Sequence, residues 1–310
     1  MTGIILHNYP QSPVAEKVRA AFGIKGLAWS SVEIPRIPPK PKLTQLTGGY
    51  RRTPVMQIGA EIFCDSQCIL AEIERRFPDP TFFPAGDEGL QWHLSRWTDG
   101  ALFSLAVKLV LGSAGDALPT DFAEDRGRLY LGPDWAEGLA KANAEIPHLA
   151  AQMRAPLEWL EGQLSDGRAF LTAEAPSMFD AQIHHVVWFI RGRWSEGEAF
   201  LAMFPRLASW SARMVGIGHG SVSALTADEA LDVAARSACE TRQGVASGDP
   251  QGLSVGLKVA VRPDVDGGEQ AVGGAVWTAD ATRIVIERED GQCGRLLVHY
   301  PRAGYVIEKC

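Results

Sequence analysis

Ser12 lies in the stretch NYPQSPVAEKVR, residues 8–19, between a short apolar run at 4–6 and a helical pattern of Val14, Val18, Ala21 and Phe22. A serine followed by proline is favoured at the N-cap and first position of a helix. That place also joins a hydroxyl to the positive end of a helix, which suits an anion. Two further stretches carry polar groups at turns. Arg52-Thr53-Pro54-Val55 leads into a strand, and Cys64-Asp65-Ser66 leads into a helix. Asp180 and His184 are four apart and His185 follows, a spacing that can share a metal on one helix face. Asp180 also follows Ser177 by three, close to a capping box, and no third ligand is evident, so no metal is expected.

These residues need elements to position them. Residues 3–9, GIILHNY, read as a short strand, and SPVAEKVRAAF as a helix ended by Gly23 and Gly26. WSSVEI is a second strand, and the Pro-rich PRIPPKPK is a loop. TPVMQI and EIFCD form a hairpin across Gly59-Ala60, and SQCILAEIERRF is a helix capped by Asp65 or Ser66. The order β-α-β-loop-β-β-α is the plan of a thioredoxin-like α/β unit over residues 1–84. Residues 87–240 show helical spacing throughout and no convincing strand, so they read as an all-helical domain. Ser177 with Asp180, and Thr226 with Glu229, mark helix starts. After a Gly- and Ser-rich linker, residues 250–310 hold four or five short strands, a small β-rich domain built as a barrel or meander.

The whole chain sets bounds on function. It has 310 residues, 46% hydrophobic and 22% charged, enough to bury a core without disulfides. A formal net charge of -7 argues against nucleic acid as the main partner. No apolar run approaches the roughly 18 residues of a membrane helix, and the start lacks a signal-peptide pattern. A cytoplasmic location follows as the expectation. The cysteines at 64, 68, 239, 293 and 310 are odd in number, sparse and without a CxxC, and read as reduced thiols.

A thioredoxin-like unit bearing SPVAEKVR, RTPV and CDS resembles the N-terminal domain of glutathione transferases. The helical domain that follows, with its Ser177-to-Asp180 cap, resembles that family's second half. The resemblance spans roughly residues 1–240 and leaves the β-rich tail uncovered. It implies glutathione as co-substrate, with Pro54 in a cis peptide and the Val55 backbone pairing the cysteinyl part as an added strand. It further implies that Asp65 and Ser66 hold the γ-glutamyl end, that Arg52 touches the tripeptide, and that Lys40 or Lys42 meets the glycyl carboxylate. Pro10, Trp97, Leu102 and Phe103 are the implied lining for an apolar electrophile. Family members are usually homodimers and serve detoxification.

Ser12 falls where zeta- and theta-like transferases carry the catalytic serine. Omega-like members have cysteine in a Cys-Pro-x-Ala pattern, whereas this chain reads Ser-Pro-Val-Ala. A cysteine would form a mixed disulfide with glutathione; a serine can only donate a hydrogen bond to its sulfur. A free thiol of pKa near 8.5 is about 3% thiolate at pH 7, and lowering it by two units requires ~2.7 kcal/mol. A hydrogen bond to a charged acceptor contributes roughly 1.5–3 kcal/mol and the helix end roughly 0.3–1, which together suffice. Tyr9 is a rival donor, since tyrosine-type members place one at the end of the first strand; here Asn8 takes that position and Tyr9 is one residue on. The reading is a glutathione S-transferase. The alternatives are a glutathione-binding or protein-interaction protein without turnover, and a glutathione-dependent reductase, which the serine at position 12 disfavours.

Overall fold

The structure, a computed structural model, describes residues 3–265 and 267–310. Strand β1 (Ile4–Asn8) is buried along its whole length, as a central strand must be. Ser12 caps α1 (Pro13–Ile24): its Oγ accepts the Ala15 N–H at 3.2 Å, and its carbonyl accepts the Glu16 N–H at 3.0 Å. Strand β2 (Ala28–Glu33) runs parallel to β1. The Pro-rich stretch, expected to be loop, ends in a short helix, α2 (Pro41–Thr47). Proline at its first position lacks only an N–H that would be unpaired there anyway, and Gly48 closes it at φ 78°. Strands β3 (Val55–Ile58) and β4 (Glu61–Cys64) form the expected hairpin. Asp65, at φ 76°, opens α3 (Ser66–Arg76), and its Oδ1 accepts the Gln67 N–H at 2.8 Å.

The chain separates into two compact units. The first joins the residues up to Val18 with Leu27–Arg76 and Ser221–Cys310, and the second joins Arg19–Gly26 with Phe77–Gly220. The second unit holds α4 (Glu88–Trp97), a π-helical turn at Thr98–Leu102, α5 (Phe103–Ala114), α6 (Thr120–Leu131) and α7 (Trp135–Ala144). It continues with α8 (Ile146–Gln163), α9 (Met178–Arg193), α10 (Gly197–Leu201) and α11 (Pro205–Ile217). Ser177 and Asp180 form the full capping box of α9. Asp180 is wholly buried, and accepts the Leu171 N–H at 2.8 Å, the Ser177 hydroxyl at 2.6 Å and the Trp210 Nε1–H at 2.7 Å. These donors give it a structural task. Among the described residues no cluster of three His, Cys, Asp or Glu could hold a metal, and no helix is long and apolar enough to cross a membrane.

The first unit resumes with β5 (Ser221–Ala224), which pairs in parallel with β2. This strand was not expected within the helical stretch: its four residues are exposed, so no alternation marks them. Helix α12 (Ala227–Arg236) follows, with Thr226 and Glu229 in a capping box. Then come β6 (Gly244–Val245), β7 (Lys258–Pro263), β8 (Val272–Ala279), β9 (Arg283–Asp290), β10 (Gly294–Pro301) and β11 (Tyr305–Lys309). Strands β7 to β10 are an antiparallel meander, and β11 returns to pair with β7. The meander extends the thioredoxin-like sheet, because β10 lies parallel to β4 with Leu297 opposite Glu61. The strand order is β11-β7-β8-β9-β10-β4-β3-β1-β2-β5. One apolar core runs beneath it, joining Ile5, Val55 and Ile62 to Val261, Ile286 and Val298.

Glu61 ties the linker to this sheet. Its carboxylate accepts the Glu240 N–H and the Thr241 hydroxyl, each at 2.7 Å, and stands 3.3 Å from His299 Nε2. Burial opposes its ionisation, but the His299 ring and the Thr241 donors outweigh that and hold its pKa at about 2.

Candidate active site

Strand register brings three turns together. His7 of β1 stands opposite Val55 of β3, and Val55 stands opposite Cys64 of β4. The end of β1, the start of β3 and the end of β4 therefore share one end of the sheet. Ser12 follows the first, Pro54 precedes the second and Asp65 follows the third. Ligands of α/β folds commonly sit at such strand ends.

Ser12 is almost fully buried, and its N–H donates to the Tyr9 carbonyl at 3.1 Å. Its oxygen accepts the Ala15 N–H, which leaves the hydroxyl its proton and a second lone pair to offer a ligand. The Tyr9 ring belongs to the apolar core with Val32, Leu43 and Leu46, and Lys40 Nζ stands 5.9 Å from its centroid. Pro10 is exposed. The Thr53–Pro54 peptide is cis. Val55, fully buried, is held on both sides by β1 and β4.

The cations expected near the tripeptide are each engaged by the protein. Lys40 Nζ donates to the Arg51 carbonyl at 2.9 Å and the Thr53 hydroxyl at 3.0 Å. Lys42 pairs with Asp228 of α12 at 2.5 Å on the surface. Arg52 Nε donates to both carboxylate oxygens of Glu269, at 2.8 and 3.0 Å, and its Nη2 donates to the same group. Asp65 Oδ2 accepts the Tyr305 hydroxyl at 3.1 Å, and the Tyr305 and Tyr50 hydroxyls lie 3.1 Å apart. Burial, with the charge of Asp65 adding to it, pushes both phenols well up and keeps them protonated donors. Ser66 is buried in the first turn of α3. Burial also pushes the Cys64 and Cys68 thiols up, which keeps them neutral and unreactive.

Trp97, Leu102 and Phe103 belong to the second unit, on and beside the π-helical turn. Trp97 is partly exposed at 39%, Leu102 is buried, and Phe103 sits among Tyr130, His185 and Phe189 with ring centroids 5.4–6.0 Å away. π-turns are rare and occur often at functional sites; the Asp99-Gly100 pair inside a helical pattern was its only trace in the sequence. Tyr50, Glu269 and Tyr305 went unrecognised, since each lies more than 200 residues from its side-chain partner and no local pattern marks such pairings.

The N-terminal domain family of glutathione S-transferases matches residues 6–81. A solved GST-like protein from Pseudomonas syringae is 34% identical over 100% of both chains, with a TM-score of 0.82. The chain belongs to the glutathione S-transferase family. The match with the Pseudomonas syringae protein includes the β-rich segment. Two more distant structures share the fold of this family. The beta-etherase LigF from Sphingobium sp. strain SYK-6 is 15% identical over 69% of this chain and 95% of its own, with a TM-score of 0.53. A glutathione S-transferase from Methylobacterium radiotolerans, solved in complex with glutathione sulfonate, is 20% identical over 72% of this chain and 97% of its own, with a TM-score of 0.50. No curated protein matches the chain.

Proposed function

We propose that the protein is a glutathione transferase that conjugates the thiolate of glutathione to an electrophilic, partly apolar substrate. The observation that carries this reading is the Ser12 hydroxyl, an acceptor of the Ala15 N–H at the start of α1, with its own proton left to donate. Ser12 gives that proton as a hydrogen bond to the sulfur, and the helix end adds positive potential. Both favour the charged thiolate over the thiol. The turn at the cis Thr53–Pro54 peptide, at the same end of the sheet, is the proposed neighbour of the cysteinyl residue. Asp65 takes the γ-glutamyl ammonium, while Ser66 and the N-terminus of α3 take its carboxylate. The nucleophile belongs to the ligand, and the protein orients it and stabilises its charge. A homodimer, a cytoplasmic setting and a role in detoxification complete the reading.

A second reading, a glutathione-binding protein without turnover, is favoured by the contacts of Glu269 and Tyr305 with Arg52 and Asp65. Retention on immobilised glutathione, followed by turnover of an aryl halide, separates the two. Retention with turnover that falls in Ser12→Ala supports the transferase. Retention without any turnover supports the second reading, and turnover undiminished in Ser12→Ala removes the role assigned to Ser12.

A further inference from the structure

The stretch between α2 and β3 has little structure of its own. Residues 48–54 belong to no helix or strand, and Gly48 and Gly49 both sit at positive φ, 78° and 119°. Paired glycines open the backbone to many conformations, so side chains packed on this stretch must fix it. Much of that packing comes from the β-rich segment. The Arg288 guanidinium of β9 lies where a Cβ on Gly48 would stand. The Tyr50 ring meets the Tyr300 ring of β10 edge-on, with centroids 6.0 Å apart. Arg52 is held by Glu269, on the connection from β7 to β8.

Tyr305 differs from these in touching two turns at once. It opens β11 opposite Pro263 of β7, and its hydroxyl lies 3.1 Å from both the Tyr50 hydroxyl and Asp65 Oδ2. A phenol has one proton to give. The carboxylate is the stronger acceptor, so Tyr305 donates to Asp65 and accepts from Tyr50. Tyr50, Tyr305 and Asp65 then form a single chain of hydrogen bonds in which each link polarises the next. Asp65 needs such a hold, because a residue other than glycine at φ 76° is strained. The same carboxylate receives the Gln67 N–H at the start of α3.

We infer that Tyr305 is a positioning residue of the candidate site: its hydroxyl fixes the turn before Pro54 against the turn at Asp65, and through it the β-rich segment becomes a working part of that site. The register of β1, β3 and β4 places both turns at one end of the sheet with Ser12. That glutathione binds there rests on the function proposed above. Tyr305 acts through Tyr50 and Asp65, and spares the ligand the cost of ordering them.

The test is hydrogen exchange of single amides in the full chain without ligand. The Gly48 N–H, bonded to the Thr44 carbonyl, reports the first turn, and the Gln67 N–H reports the second. Tyr305→Phe is expected to speed both about tenfold, with the amides of the helical unit unchanged. Tyr50→Phe breaks only the first link, and is expected to speed Gly48 while Gln67 changes less than about twofold. Uniform acceleration across the chain in Tyr305→Phe, or none at either turn, overturns the inference. Should Tyr305→Phe not fold, Tyr50→Phe decides by itself, and an unchanged Gly48 overturns the inference. Calorimetry gives the second readout: Tyr305→Phe is expected to weaken glutathione binding about tenfold, whereas a loss of stability alone reduces the fraction that binds and leaves the affinity as it was. Unchanged affinity overturns the role in the site. Absence of glutathione binding by the wild type overturns the function proposed above, and the exchange pattern then still decides whether Tyr305 joins the two turns.

Discussion

The Tyr305 hydroxyl, five residues from the last position of the sequence, lies 3.1 Å from Oδ2 of Asp65, the residue that caps α3. Asp65 is thereby held from two sides, by Gln67 N–H on one oxygen and by Tyr305 on the other. Tyr305→Phe removes one of these without changing the ring. A hydrogen bond to a charged group contributes about 1.5–3 kcal/mol, and the half-buried setting of Tyr305 places the expected loss of stability at the lower end of that range. A double-mutant cycle with Asp65→Asn, followed by urea unfolding, checks it. Additive effects of the two changes would remove the coupling.

Ser12 has two separable roles. As a cap, its loss in Ser12→Ala costs about 1 kcal/mol of stability. As the proposed donor to sulfur, its loss raises the pKa of bound glutathione by about one to two units, so turnover at pH 7 falls about 3- to 25-fold. The deficit shrinks as pH rises past the new thiol pKa, because base then supplies the thiolate. A pH profile of kcat/KM tells the roles apart: a cap alone predicts no displacement of the profile.

Glu61 gives the first unit an acid limit. Its pKa, about 2, is lower than the ordinary value of 4.5. A depressed carboxylate contributes stability that is complete above its unfolded pKa and is lost as pH falls toward its folded one. The window is therefore pH 5 down to about 2, and the contribution is about 2–3 kcal/mol. Glu61→Gln should lower stability at pH 6 and show a shallower further loss between pH 5 and 3 than the wild type. Parallel curves of unfolding free energy against pH would reject this.

Gly23 is set by space alone. A Cβ placed there would lie 2.0 Å from the Gly218 carbonyl oxygen, with backbone on both sides of the contact. Neither backbone can rotate away as a side chain would, so Gly23→Ala is expected to cost about 3 kcal/mol or more, beyond the usual range for overpacking. Thermal unfolding measures it, and a drop of less than about 2 °C would show that the two segments yield.

Where local rules decide, the sequence was readable. Ser12 and Pro13, Ser177 and Asp180, and Thr226 and Glu229 mark helix starts by chemistry confined to one turn, and each is realised. The strands of the β-rich segment show in their alternation, as β7 does with Val259 and Val261 inward. Other elements depend on partners far along the chain. Strand β5 exists because β2 offers an edge, although its own residues are exposed. The same holds for the site. Ser12, Pro54 and Asp65 could be named from nearby residues, whereas Glu269 and Tyr305 acquire their places only through the sheet that carries them.

The parallel contact of β10 with β4 sets a schedule for the nascent chain. About 230 residues separate Cys64 from Gly294, so translation at roughly 5–20 residues per second delivers β10 about 10–50 s after β4. Through that interval one side of β4 has no native neighbour, the condition that invites pairing with a foreign strand. The helical stretch ending at Gly220 has by then left the ribosome whole. Strand β4 is thus made long before its partner, and it waits for β10 to close its open side.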